Sequence, residues 1–380
     1  MTYEPGVGDV LGPLRVGAIA HGGHWVARHQ GRVYFVRQVL TDEVVTIRVT
    51  KLARRHGFAE LVDVVEASPH RVPSPCPVAD RCGGCDFQHV EPAHQPELKR
   101  RVVAEQLQRL AGITWTGSVE TVGDVLGWRT RMRYHSGSQG AWGLRRSRSH
   151  AVTPLPEEGC RLAVPGLGSP APDLVTGGTV VGTASPAGVT WTRPGEGILV
   201  EEAAAGRRWR VSTDGFWQVH PRAADTLVTA VLDGLAVREG ETALDLYCGV
   251  GLFAGALVDQ GASVIGIEGD KAAVTLARRN VPAARFLAGS VAGSLARVRE
   301  RQDLVVLDPP RQGAGGEVLG EVLRRGPRAV AYVACDPAAL ARDLAAAESS
   351  GYRVSSIRAF DLFGSTHHVE CVAMLNRGSA

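Results

Sequence analysis

The carboxyl-terminal part of the chain alternates apolar runs with helical stretches, and this pattern restricts the fold more than any other feature. From about residue 222 the apolar runs are "TALDLY", "SVIGIE", "DLVVLD" and "AVAYVA". Apolar runs of strand length separated by helices predict parallel strands that are buried on both faces. Two later runs, residues 352–360 and 367–375, are joined by a short link, so they should pair antiparallel. We therefore predict an α/β domain over residues 222–380.

The first part of the chain has a different pattern. Residues 16–66 contain the β-branched and aromatic runs "VYFVRQVL" and "EVVTIRVTKL", which predict a small OB-like β-barrel over residues 1–67. Such barrels often bind nucleic acid. The linker "SPHRVPSPCP" leads into residues 68–221, where a cysteine loop, a helix near residues 96–111 and a later stretch rich in glycine and proline predict a small central α+β domain.

Composition limits the location and the partners of the protein. The chain has 380 residues, of which 44% are hydrophobic and 21% are charged, enough for two or three globular domains. The first residues lack the basic start and apolar run of a secretion signal, and no run of about 18 apolar residues occurs. We expect a cytoplasmic protein, monomeric and without a membrane partner.

One region is much more basic than the rest. Between Leu98 and His150 there are ten Lys or Arg residues and three acids, a local excess of 10 − 3 = +7 in a chain whose net charge is +3. A polyanion such as RNA could bind there. Arg129, Arg131 and Arg133 would share one face of a strand. The alternative is an ordinary solvated surface rich in arginine.

The seven cysteines suggest metal binding or catalysis rather than disulfides, because their number is odd and no export signal is visible. Cys76, Cys82 and Cys85 form C-x5-C-x2-C, and Cys160 follows in "EEGC". Four thiols suit either a [4Fe-4S] cluster or a structural zinc ion. A zinc ribbon would more often show two CxxC pairs, and this chain has one.

A nucleotide-type cofactor site is predicted at the first strand of the α/β domain. Asp245 begins "DLYCGVGLF", which places Gly249 and Gly251 in the turn between strand and helix, where backbone approaches a ligand closely. Glu268 ends the next strand, where a carboxylate can accept hydrogen bonds from both ribose hydroxyls. A dinucleotide-dependent oxidoreductase is the alternative, since Ala254 at the sixth position of the glycine motif is sometimes accepted.

Two further side chains lie at predicted strand ends, and a third lies on the last predicted strand. Asp308 begins "DPPR", and Cys335 ends "AVAYVA" just before a predicted helix, whose dipole should stabilise a thiolate. An inert buried cysteine is the alternative. Glu370 lies on the last strand in "HHVE", after His367 and His368; we discount a metal there, because adjacent side chains on a strand point to opposite faces.

Together these motifs resemble the RNA 5-methyluridine (uracil-C5) methyltransferase family, in the form that has an N-terminal TRAM domain and a [4Fe-4S] cluster. The resemblance covers nearly the whole chain. Its most specific segments, in the family's order, are "CPVADRCGGCDFQH", "DGFWQVHP", "LDLYCGVGLF", "VVLDPPR", "ACDPAALARDL" and "HHVE". It implies a class I (Rossmann-like) methyltransferase domain, in which an antiparallel edge on a parallel sheet is typical.

The resemblance also implies residue roles. Cys335 would be the nucleophile and Glu370 the general base, because addition of sulfur to C6 of uracil activates C5 for methylation. The cluster would be held by Cys76, Cys82, Cys85 and Cys160, and S-adenosyl-L-methionine would be bound by Gln218, Tyr247, Gly249, Gly251, Glu268, Ser290 and Asp308. The implied partner is structured RNA, with 23S ribosomal RNA favoured and transfer RNA as the alternative.

Two functional alternatives remain open at the level of sequence. Leu252 and Ser290 depart from residues common in the family, which leaves room for an RNA-binding or assembly factor without catalytic activity. Asp308-Pro-Pro is similar to the turn that presents acceptors to nitrogen in amino-group methyltransferases, which form no covalent adduct with RNA.

Overall fold

A computed structural model of the chain describes residues 4–137, 140–147, 149–171, 174 and 177–377. The amino-terminal unit is a closed barrel of five strands, in the order β1-β2-β3-β5-β4. Alternate side chains point inward, and the barrel core contains the buried rings of Trp25 and Tyr34. The predicted barrel is therefore confirmed. Its strands are β1 (Val10–Ala20), β2 (His24–His29), β3 (Arg32–Val36), β4 (Val44–Leu52) and β5 (His56–Glu66).

The described residues of the central region form one long helix and several short strands. A 3-10 turn (Pro92–His94) leads into helix α1 (Gln95–Ala111), where a helix was expected. The strands are β6 (Val119–Thr121), β7 (Arg131–Ser136), β8 (Trp142–Arg145), β9 (Val152–Pro154), β10 (Thr179–Ser185), β11 (Gly188–Thr192), β12 (Leu199–Ala204) and β13 (Arg207–Ser212). β7 to β11 form one antiparallel sheet, and β12 pairs with β13.

The carboxyl-terminal region alternates strands and helices as predicted. The strands are β14 (Thr242–Leu246), β15 (Ser263–Glu268), β16 (Arg285–Ala288), β17 (Leu304–Leu307), β18 (Ala329–Ala334), β19 (Tyr352–Asp361) and β20 (Glu370–Arg377). The helices are α2 (Ala223–Leu235), α3 (Leu252–Asp259), α4 (Lys271–Asn280), α5 (Val291–Leu295), α6 (Gly315–Arg324) and α7 (Pro337–Ser349).

These strands form a sheet of eight in the order β16-β15-β14-β17-β18-β20-β19-β6. The strands from β14 to β18 are parallel, and β20 runs antiparallel to both β18 and β19. Apolar clusters cover both faces of the sheet. This confirms the α/β fold with its antiparallel strand pair. The edge differs from the expectation, because β6 of the central region pairs with β19 and completes the sheet.

Helix α1 ties the central region to the sheet. Lys99 is fully buried, and its Nζ lies 2.5 Å from Oδ1 of Asp361 and donates to the carbonyl of Phe363 at 3.0 Å. Gln95 accepts a hydrogen bond from the backbone N–H of Ser365 at 2.8 Å. These contacts fix the segment that joins β19 to β20. Among the described residues, none of the helices has both the length and the apolar character needed to span a membrane.

We predict that Lys99→Met lowers the free energy of unfolding by about 3 kcal/mol or more, because it leaves the Asp361 carboxylate buried without its cation. Chemical denaturation followed by tryptophan fluorescence measures the change. Arg109→Met on the same helix is the control, since Arg109 pairs with Glu105 at the surface and such pairs contribute about 1 kcal/mol or less. Equal losses of unfolding free energy in the Lys99 and Arg109 variants would contradict a structural role for the buried pair of Lys99 and Asp361.

Candidate active site

A cavity of about 790 Å³ opens at the carboxyl ends of the parallel strands. The strand order reverses between β14 and β17, since the chain runs from β14 outward to β16 and then returns to β17 on the other side. Open α/β sheets bind ligands at such a switch point. The cavity wall includes seven residues predicted from the sequence: Gln218, Tyr247, Gly249, Glu268, Asp308, Cys335 and Glu370.

The turn after β14 has the backbone conformation of a ligand-binding loop. Tyr247 and Gly249 both have positive φ, 64° and 53°. The Glu268 carboxylate accepts hydrogen bonds from the N–H groups of Gly249, at 3.0 Å, and Asp270, at 2.8 Å. Fully buried Asp245 accepts from the N–H of Ala254 at 2.8 Å, and burial raises the pKa of its carboxyl well above the usual range. The carboxyl groups of Glu268 and Asp245 thus hold the turn through hydrogen bonds to backbone N–H groups on both of its sides.

Two predicted cofactor residues do not line the cavity. Gly251 precedes α3 with φ of 96°, and a Cβ there would lie 3.3 Å from both Phe286 and Val281, so this glycine serves close packing. Ser290 caps α5 by accepting a hydrogen bond from the N–H of Gly293. Both residues therefore have local structural roles in this arrangement.

Cys335 and Glu370 are brought together by strand pairing. Ala334, the last residue of β18, is opposite Cys371 on β20, so Cys335 follows the end of one strand where Glu370 begins the other. Glu370 is 5% exposed, and burial, reinforced by nearby Asp308, raises the pKa of its carboxyl well above the usual value. Both side chains line the cavity.

The expectation of a stabilised thiolate at Cys335 is wrong for this conformation. Burial raises the pKa of the thiol to about 12, and the carboxylates of Glu370, Asp308 and Asp336 add to that increase. The N-terminus of α7 already has a hydrogen-bond acceptor, because Asp336 accepts a hydrogen bond from the N–H of Ala339 at 2.8 Å. Arg311 is the group that lowers the pKa of the thiol.

Several lining residues were not predicted from the sequence, including Arg311, His368 and Phe216. The Arg311 Nη2 lies 3.3 Å from Nε2 of His368. Phe216 is 70% exposed at the rim, which is unusual for a large apolar side chain. Each residue lies within a segment that the resemblance had already selected, so its neighbours in the motif were the available signal.

His367 and His368 are not on a strand, because β20 begins at Glu370. The argument that their side chains point to opposite faces is therefore wrong, and their ring centroids lie only 4.1 Å apart. His367 pairs with Asp86, whose Oδ2 lies 2.6 Å from Nδ1, whereas His368 faces the cavity.

The four predicted cluster cysteines line a second, much smaller pocket. The Sγ of Cys85 accepts a hydrogen bond from Nε2 of Gln88 at 3.0 Å, and the Sγ of Cys82 accepts from the N–H of Gly84 at 3.3 Å. Burial and the neighbouring thiols raise the pKa of Cys85 well above its usual range. Within the described part of the chain, no group of three or more His, Cys, Asp and Glu side chains is arranged to hold a metal ion.

The three arginines expected on one basic face have different environments. Arg131 is 9% exposed and donates to the carbonyls of Ser212 and Gly215, at 3.2 and 2.7 Å. Arg129 lines the active-site cavity, and Arg133 is exposed. The basic stretch is therefore not a single RNA-binding surface, since part of its charge is used within the fold.

Comparisons with known proteins agree with this architecture. The tRNA (Uracil-5-)-methyltransferase family profile matches residues 297–378, the TRAM domain residues 13–62, and the methyltransferase small domain residues 222–332. An uncharacterized RNA methyltransferase of Streptomyces avermitilis is 44% identical, over 95% of this chain and 97% of that protein. One from Gloeobacter violaceus is 32% identical, over 95% of each chain.

Among solved structures, the Pyrococcus abyssi tRNA (uracil-54, C5)-methyltransferase in complex with S-adenosyl-L-homocysteine shares the fold. Its TM-score is 0.73 at 22% identity, and the match covers 96% of this chain and 99% of that one. The fold, the cavity and the matched domains define a methyltransferase with an amino-terminal TRAM barrel. The chain belongs to the family of S-adenosylmethionine-dependent RNA uracil methyltransferases.

We predict that Arg311→Gln slows alkylation of Cys335 by iodoacetamide and moves its pH profile to higher pH. Only the thiolate reacts, and loss of the guanidinium charge raises the pKa of the thiol further. Mass spectrometry of the Cys335 peptide over a pH series separates this thiol from the other six. Arg311→Lys keeps the charge and should stay near the native profile. Unchanged profiles in both variants would refute a role for this cation.

Proposed function

We propose that this protein transfers a methyl group from S-adenosyl-L-methionine to C5 of a uridine in structured RNA. The observation that carries the proposal is the placement of Cys335 and Glu370 at adjoining ends of β18 and β20, inside the cavity that the cofactor-type turn also lines. A thiol and a carboxyl group in one cavity supply the nucleophile and the base that this reaction needs.

The chemistry begins when the thiol of Cys335, which its raised pKa keeps protonated at rest, gives its proton to solvent water. The sulfur then bonds to C6 of uracil, and the C5=C6 electrons move to form an enolate. S-adenosyl-L-methionine, when bound, supplies a methyl group on a positively charged sulfur; C5 of the enolate takes this group as the methyl–sulfur bond breaks and S-adenosylhomocysteine leaves. Glu370 accepts the C5 proton, C5=C6 re-forms, and the bond between Cys335 and C6 breaks to release the thiolate.

Burial suits Glu370 to this role. A carboxyl group with a raised pKa is a stronger base once it has lost its proton, so it can accept the C5 proton of the adduct. Asp308 shares the cavity, and its own pKa is raised to about 7 by burial and by Glu268. Arg311 offsets part of this negative charge, because it lowers the pKa of both Glu370 and Cys335.

We assign the cofactor to the side of the cavity formed by Gln218, Tyr247, Gly249, Glu268 and Asp308. Glu268 lies at the end of the strand next to the glycine turn, where a carboxylate can accept from ribose hydroxyls. Exposed Phe216 lies at the mouth of the same cavity. A uridine inside a helix must be extruded from its stack to reach Cys335.

For the RNA itself we propose 23S ribosomal RNA, on the ground of the family form that the sequence resembles. Transfer RNA is the alternative, and the matched family profile carries that name. The TRAM barrel supports an RNA partner in either case.

We also propose that Cys76, Cys82, Cys85 and Cys160 hold a [4Fe-4S] cluster with a structural role. The four thiols line one pocket, which gives the donor set of such a cluster. A structural zinc ion is the alternative, but a zinc ribbon would more often show two CxxC pairs, and this chain has one. The cluster would link the loop at residues 76–85 to Cys160.

The first test incubates the native protein with labelled S-adenosylmethionine and unmodified 23S and transfer RNA transcripts, followed by nucleoside analysis. We expect 5-methyluridine in one RNA, and none with Cys335→Ala. Glu370→Gln should accumulate a covalent RNA adduct, because the C5 proton stays and the sulfur cannot leave. Methylation at nitrogen without any adduct to 5-fluorouridine RNA would support an amino-group enzyme, and cofactor binding without turnover would support a non-catalytic factor.

For the cluster, anaerobically purified native protein should contain about four iron and four sulfide per chain and absorb visible light. Cys85→Ser should lose most of the iron and lower the melting temperature. Cys248→Ser is the control, because Cys248 lies in the cofactor turn and outside the small pocket. Stoichiometric zinc without sulfide would refute the cluster.

A further inference from the structure

The barrel reaches the active site through the turn between β1 and β2, residues 21–23, which we call the barrel turn. Nε2 of His21 lies 3.0 Å from Oδ2 of Asp336. Asp336 directly follows Cys335, and its other carboxylate oxygen accepts the N–H of Ala339 and caps α7. The barrel therefore holds one oxygen of the Asp336 carboxylate, and α7 holds the other. Both contacts fix the residue that follows the proposed nucleophile.

The barrel turn also touches the second catalytic segment. Gly23 has φ of 73°, and a Cβ at this position would lie 2.9 Å from the Cβ of His367, so only glycine permits the approach. His367 lies three positions before Glu370. One short turn thus contacts both the segment that carries Cys335 and the segment that leads to Glu370.

A second contact from the barrel supports the Glu370 side. Asp86 lies between His367 and the barrel: its Oδ2 is 2.6 Å from Nδ1 of His367, and its Oδ1 is 3.0 Å from Nη2 of Arg37. Arg37 directly follows β3. The Asp86 and Arg37 side chains are only 12% and 18% exposed, so solvent screens this chain of contacts weakly.

We infer that the barrel turn is a positioning element of the methyltransferase site, which holds the Cys335 and Glu370 segments at a fixed separation. His21 and Gly23 are positioning residues in this arrangement, since neither lines the cavity. The inference rests on the proposed function. It gives the barrel a role in the reaction step that is separate from RNA affinity, and displacements of about 1 Å can slow a reaction about 100-fold.

The experiment compares His21→Ala with His29→Ala, at the other end of β2, and Gly23→Ala with Gly22→Ala. Gly22 also has positive φ, but a Cβ there meets no atom closer than 3.8 Å, so only the Gly23 variant adds a clash to the strain. Adduct formation with saturating 5-fluorouridine RNA gives the rate, and a filter-binding titration gives the RNA Kd. Melting temperature and S-adenosylhomocysteine binding establish that each variant is folded.

We expect His21→Ala and Gly23→Ala to slow adduct formation about tenfold or more at saturating RNA while the RNA Kd stays within about twofold. The two control variants should match the native protein. A higher RNA Kd with a native rate of adduct formation would make the barrel turn an RNA contact and overturn the inference. Native values of both the rate and the Kd would overturn it as well.

A readout without RNA separates this inference from the proposed function. Without its contact to His21, the Asp336 side chain and the segment that carries Cys335 are held less firmly, so the iodoacetamide alkylation profile of Cys335 should shift in His21→Ala and stay native in His29→Ala. If the native protein forms no RNA adduct, the uridine mechanism fails, and this alkylation profile still tests the positioning role. An unshifted profile in His21→Ala would overturn that role.

Discussion

The antiparallel pairing of β20 with β18 is the interaction on which the site depends. Parallel strands end at one edge of a sheet, so an added parallel strand would place its first residue at the far edge. Because β20 runs the other way, its first residue, Glu370, meets the residue that follows β18, Cys335. Two residues 35 positions apart in sequence thereby share one cavity. Hydrogen bonds of the sheet, rather than flexible loops, set their spacing.

Carboxyl groups with raised pKa values dominate the electrostatics of the cavity. Asp245 and Glu370 are buried and Asp308 is half-buried, and the carboxyl group of each has a raised pKa. The same burial keeps the Cys335 sulfur protonated, in opposition to the effect expected from the following helix. A thiolate would be exposed to oxidation and alkylation, so the thiol form protects the sulfur of Cys335. Arg311 provides a positive charge that lowers the pKa of the Cys335 thiol and so limits the increase.

The sequence predicted the elements whose signal is local. Apolar runs predicted β14, β15, β17 and β18, and motif order predicted seven of the lining residues. It did not predict that β6 joins the sheet, because three residues carry too little periodicity to identify a partner 240 residues away. The sequence also did not predict that Arg131 is buried and donates hydrogen bonds within the fold, or that the pKa of Cys335 is raised. Both depend on what surrounds a side chain, and distant segments supply those surroundings.

The position of β6 has a consequence for how the chain can be divided. Without it, β19 would present an open row of backbone N–H and C=O groups, and exposed strand edges of this kind promote pairing between copies. Helix α1 adds Lys99, without which Asp361 would be a buried unpaired charge. A fragment beginning at residue 222 would lack both and would be prone to aggregate. The methyltransferase domain is thus a continuous stretch of sequence that needs the preceding region to complete its sheet. The two regions must therefore be kept together in evolution.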